Sequence, residues 1–113
     1  MSLSNKISFD QVLSRGEKNS DNFFLVSHLK KQRPPGRFGI SVPKRLVSRA
    51  TERNKIKRVA KEGFTGTLKS LPIDVVAIYK GKPAQKRSVK IVRESIQEHF
   101  NRIKTELETR ENQ

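Results

Sequence analysis

The run Ile73-Asp74-Val75-Val76-Ala77-Ile78-Tyr79 constrains this chain more than any other segment. It is almost continuously apolar after Asp74, and such a run suits a strand buried on both faces. The rest of the chain must then supply covering layers. Apolar residues are only 33% of the sequence, so the core is economical. At 113 residues the chain reads as one domain, 1–113, burying roughly two-thirds of the surface its unfolded chain would expose. Residues 1–5 and 108–113 are expected to be loose.

Helical and strand periodicities fill in the other elements. Ser8 to Leu13 reads as a short helix capped by Ser8, with Phe9, Val12 and Leu13 on one face and Arg15-Gly16 ending it. Phe23 to Leu29 and Phe38 to Val42 alternate as strands, and the turn signal Pro34-Pro35-Gly36 between them predicts a hairpin. Pro43 stops the second strand. Ser48 is the expected N-cap of a helix to about Leu68, with Ile56, Val59, Ala60, Gly63 and Phe64 gathered on one side. Asp74 reads as a turn or capping residue. After the basic loop Lys80 to Arg87, Ser88 caps a long helix with Val89, Val92, Ile96, Phe100, Ile103 and Leu107 in one stripe. The predicted order is helix, strand, strand, helix, strand, helix, an α/β (α+β two-layer) sandwich with about three helices on one face of a small mixed sheet.

Charge points to the partner. Net charge is +14, and between Lys30 and Lys61 twelve Lys or Arg face a single acid, Glu52. In the central helix Asn54, Lys57, Arg58 and Lys61 gather opposite the apolar side, with no acid among them. Lys44, Arg45, Arg49 and Arg53 extend the cationic surface at the helix entrance. A solvated face normally mixes signs, as the last helix does; a one-signed field calls for a polyanion, and nucleic acid fits best. Arg forks two hydrogen bonds to phosphate, and Asn reaches a 2′-hydroxyl, a phosphate or a base edge. No apolar run is long enough to span a bilayer and the start lacks a signal-peptide apolar region, so a soluble cytoplasmic protein is expected.

Catalytic chemistry is sparse. There is no Cys, and the two histidines, His28 and His99, stand in no metal-ligand spacing; each reads as solvated or hydrogen-bonded. No Gly-rich phosphate loop is present, and a free-standing nuclease lacks its residues. The six Phe residues read mostly as core, with Phe9, on a short helix beside the strands, the best candidate for stacking on a base.

The tract from Gly39 to Phe64 resembles the signature of the bacterial ribonuclease P protein subunit. Arg53, Asn54, Lys57 and Arg58 meet an R-N-x-x-K-R core, and Gly39 to Arg45 meet G-x-[ST]-V-x-K-[KR] upstream, at the gammaproteobacterial spacing. Phe9-x-x-Val12 with Gly16, and Asp74-Val75-Val76, continue the likeness. The resemblance implies a ribosomal-protein-like fold with a left-handed crossover. It implies a monomer that joins a catalytic RNA, which removes the 5′ leader of precursor tRNA with Mg²⁺ held mainly by the RNA. It implies that Arg53, Asn54, Lys57 and Arg58 contact that RNA, and that Phe9, Ser41 and Lys44 line a leader cleft. Lys61 stands where the family usually has Arg, and Leu13 where a second ring is common. The competing readings are a ribosomal-type or general RNA chaperone and a DNA-binding module using the same helix.

Overall fold

The computed structural model describes residues 7–81 and 88–111. Seven elements follow in order: α1 (Phe9–Arg15), β1 (Glu17–Ser20), β2 (Phe24–Lys30), β3 (Arg37–Ser41), α2 (Ala50–Thr67), β4 (Ile73–Tyr79) and α3 (Val89–Glu111). The strands form one mixed sheet in the order β1-β2-β4-β3. The apolar run is a central strand: β4 pairs antiparallel with β2 and parallel with β3. Ile73, Val75, Val76, Ala77 and Tyr79 are fully buried.

The predicted hairpin between Phe23–Leu29 and Phe38–Val42 does not form. β4 lies between those strands, and β3 reaches it through the β3–α2–β4 crossover. The hairpin partner of β2 is instead β1, a strand the periodicity missed because all four of its residues are exposed and polar.

Alternation divides the sheet into two faces. Phe24 and Val26 of β2 and Val75, Ala77 and Tyr79 of β4 turn towards α2 and α3, with Phe38 and Ile40 of β3 packed alongside. Phe38, Phe64 and Phe100 bring β3, α2 and α3 together, with ring centroids 5.1–5.9 Å apart. Gly63 permits this approach: a Cβ there would stand 3.3 Å from the Phe100 ring. Val92, Ile96, Phe100, Ile103 and Leu107 form the buried stripe of α3, whereas Val89, expected in it, is 45% exposed.

Not all helices share that face. The residues of the sheet's other face include Ser27, Val76 and Gly39, which lie side by side in the register. The hydroxyl of Ser27 donates to the Val12 carbonyl of α1 at 2.6 Å, and a Cβ on Gly39 would stand 2.5 Å from the Phe9 ring. The short helix therefore covers the face opposite α2 and α3. Ser8 caps it as predicted, accepting from the Gln11 amide.

Two boundaries shift and one holds. Arg49, not Ser48, is the N-cap of α2, and its side chain makes no capping bond. Ser88 does cap α3, accepting from the Ile91 amide at 3.1 Å. The tail expected to be loose from residue 108 is helical to Glu111. The expected loose start at 1–5, residues 82–87 of the basic loop and the last two residues lie outside the described residues.

Candidate nucleic-acid interface

The cationic face is built by the same periodicity that builds the core. Ile56, Val59, Ala60 and Phe64 of α2 are buried. Asn54, Lys57, Arg58 and Lys61 are exposed, as are Arg49 at the cap and Lys44 and Arg45 in the turn after β3. That turn is held by the Leu46 and Val47 amides donating to the Pro43 carbonyl, and Val47 anchors it in the core. Among the described residues, no ion pair holds Lys44, Arg45, Arg49, Lys57, Arg58 or Lys61. Their charges are free to meet a polyanion.

Arg53 differs from its neighbours. It is half-buried, and one terminal nitrogen donates to the Val47 carbonyl at 3.0 Å and the Ser48 carbonyl at 2.8 Å. The side chain reaches back over the start of α2 and ties down the loop that carries Lys44 and Arg45. These bonds satisfy two loop carbonyls and do not replace an N-cap, which would accept from amides of the first turn. Arg53 therefore positions the cationic loop, a role that helical spacing did not reveal.

A second surface adjoins α1. Three cross-strand rows run over this face of the sheet. Ser27, Val76 and Gly39 form the row that α1 covers, and all three are buried. Leu25, Ile78 and Ser41 form the next row, and all three are only half-buried. The result is a partly exposed strip of sheet beside the row that α1 covers, carrying two aliphatic side chains and a hydroxyl. Phe9, half-buried, rests on Gly39, which lies two residues before Ser41 on the same face of β3. Lys44 follows β3 at the Ser41 end. Aliphatic side chains and a ring on one sheet face, with a cation beyond the strand end, suit an unpaired strand, whose bases stack while its phosphates seek charge.

The third row is Leu29, Asp74 and Arg37. Asp74 is neither a turn nor a cap; it is a buried member of β4. Arg37 grips it through Nε at 3.0 Å and a terminal nitrogen at 2.7 Å, and Lys31 Nζ lies 3.1 Å away. Burial alone would raise the Asp74 pKa, but the bonds and charges of Arg37 and Lys31 outweigh it and hold the carboxyl below its ordinary value. Arg37 is correspondingly raised by its bond to Asp74. This triad spends two cations of the basic tract on the fold.

The ribonuclease P family profile matches residues 1–104. This chain belongs to the ribonuclease P protein family. The chain is 34% identical to the ribonuclease P protein component of Aliivibrio salmonicida over 99 residues, covering 88% of this chain and 78% of that one. It is 36% identical to the component of Nitrosococcus oceani over 56 residues, covering 50% of this chain and spanning about half (47%) of that protein's length. The solved Staphylococcus aureus RNase P protein superposes with a TM-score of 0.70 at 32% identity, covering 84% of this chain and 86% of that one. The mixed sheet with three helices is thus the ribonuclease P protein fold, as the resemblance implied.

Proposed function

We propose that this chain is the RNA-binding protein subunit of ribonuclease P and assists a catalytic RNA in removing the 5′ leader from precursor tRNA. The observation that carries this reading is the conjunction of two surfaces on one family fold: an unpaired cationic helix face and a partly exposed aliphatic strip of sheet beside Phe9. Arg49, Asn54, Lys57, Arg58 and Lys61 bind the phosphates of the catalytic RNA, with Lys44 and Arg45 at the edge, and binding releases counterions. Phe9, Ser41 and Lys44 hold the single-stranded leader. Arg53 belongs to the same surface and acts through the loop it ties down.

The chemistry resides in the RNA. Mg²⁺ takes six oxygen ligands and keeps several waters. The α2 face offers cations and one amide, flanked by two carboxylates, Glu52 and Glu62, ten residues apart along the helix. Such a donor set does not hold Mg²⁺, so the ion sits on RNA phosphates, and the protein's cations lower the repulsion around them. The protein acts as a monomer within the complex, in the cytoplasm, and no described helix is long and apolar enough to cross a membrane.

Reconstitution tests this. The protein, its host's ribonuclease P RNA and precursor tRNA are combined at low Mg²⁺, and the mature 5′ end is sought. Cleavage is expected with RNA and protein together and none with protein alone. Metal-dependent cleavage by RNA-free protein would overturn the assignment of the chemistry to RNA. Equal binding of many structured RNAs, with no cleavage stimulated, would favour the chaperone reading.

A further inference from the structure

Glu17, His28 and Glu106 are far apart in sequence and meet at the β1 edge of the sheet. Glu17 and His28 are direct cross-strand partners in the β1–β2 pair. Glu106 projects from the last turns of α3. One ligand atom from each lies within 4.8 Å of the other two. His28 Nε2 is 3.5 Å from a Glu17 carboxylate oxygen and 3.7 Å from Glu106 Oε2.

Those distances distinguish two arrangements. A direct N–H···O hydrogen bond brings nitrogen and oxygen to about 2.7–3.2 Å. Two ligands of a tetrahedral Zn²⁺, each about 2.1 Å from the ion, stand about 3.4 Å from one another. The observed gaps match the second spacing better. Glu106 Oε2 is itself buried, although its side chain is 43% exposed, and it makes no hydrogen bond. Burying a carboxylate oxygen unsatisfied is costly, and a coordinated cation would relieve that cost. The cluster also opens to solvent. Clefts of about 190 Å³ and about 50 Å³ meet at Glu17, His28 and Glu106, leaving room for a fourth ligand such as water. Arg15 and Lys30 line the first cleft, and Lys18 and Arg102 the second. These cations oppose binding of any metal ion, and the two carboxylates offset part of that repulsion.

We propose that Glu17, His28 and Glu106 form a binding site for a divalent transition-metal ion of the zinc class. One imidazole and two carboxylates suit zinc or its neighbours better than Mg²⁺, which prefers an all-oxygen octahedron. The ion would tie β1 and β2 to the end of α3. The site lies at the opposite edge of the sheet from β3, so its test needs no RNA.

The experiment uses tag-free, chelator-stripped full-length protein titrated with Zn²⁺, with Mg²⁺ as control. Calorimetry should show one saturable zinc equivalent and none for Mg²⁺. The chain has two histidines, so ring ¹⁵N spectra report both without substitution; zinc should shift the Nε2 signal of His28 and leave His99 in place. Glu17→Gln and Glu106→Gln keep side-chain size and should each weaken zinc at least tenfold and abolish the zinc-induced rise in Tm, with circular dichroism verifying the fold. No saturable binding, a shift at His99 instead of His28, or unchanged affinity in both folded variants would overturn the proposal. If a variant does not fold, the ring spectra of the parent decide.

Discussion

Arg53 and Phe9 show how far a residue's role departs from its place in a motif. Arg53 sits within R-N-x-x-K-R, yet part of its guanidinium is committed to the Val47 and Ser48 carbonyls. Arg53→Lys keeps the charge and loses the planar fork. It should lower stability by about 1 kcal/mol, the usual net worth of such hydrogen bonds. Urea unfolding should show this before any RNA is added; an unchanged midpoint would mean the loop stands without Arg53. Phe9 makes the converse case. Its ring rests on Gly39 beside the partly exposed strip of sheet, and base stacking contributes about 1–3 kcal/mol. Phe9→Ala should weaken precursor tRNA binding by the reconstituted complex roughly 5- to 150-fold on that figure, and leave mature tRNA nearly unaffected. Equal loss of both substrates would place Phe9 in the core.

At the scale of elements, α2 is where sequence and structure agree best. The 3.6-residue period separated Ile56, Val59, Ala60 and Phe64 from Asn54, Lys57, Arg58 and Lys61, and burial follows that division. Lys57→Ala and Arg58→Ala should leave stability unchanged and each reduce the log–log salt slope of binding to ribonuclease P RNA by about 1. Glu94→Gln on the exposed side of α3 should leave it alone. Slopes matching the parent's would mean that this face is merely solvated. Other features were not legible. β1 is an all-polar edge strand, so no alternation of apolar residues marks it. The false hairpin arose because alternation reveals that a segment is a strand but not which strand it pairs with; β4 took the place between β2 and β3. Arg53's bonds run backwards to carbonyls outside the helix, which periodicity does not describe. The Glu17–His28–Glu106 cluster needs both the β1–β2 register and the packing of α3, and short-motif spacing contains neither.

For the whole molecule, three buried or half-buried groups give the fold one pH dependence. His99 is buried beside Asp21, with Nε2 3.3 Å from its carboxylate, and burial lowers its pKa below 6.5 despite that neighbour. Asp21 binds the Ser95 hydroxyl at 2.5 Å and the Phe23 and Phe24 amides at 2.9 and 2.8 Å. Burial opposes its ionisation, but those bonds, with His99, bring its pKa below 3.8; Asp74 is lowered likewise by Arg37 and Lys31. In each case the unfolded chain takes up a proton at higher pH than the folded one. The stabilisation is therefore complete above the unfolded pKa and lost as pH falls through the folded value. Stability followed by urea titration should decline first below pH about 6.5, from His99, and more steeply below about 4, from the two aspartates. Asp74→Asn should flatten the second decline, and a curve indifferent to pH between 3 and 7 would contradict the arrangement.

The strand order also has a consequence for how the protein is made. A ribosome that has released residues 1–72 has delivered β2 and β3, but not β4, the strand that belongs between them. Neither can complete its pairing, and α2 has no finished sheet on which to lay its apolar side. Such non-local pairing delays closure of the core until the last third of the chain emerges. The basic helix is synthesised midway, so a nascent chain offers its cations to surrounding polyanions before the domain has closed.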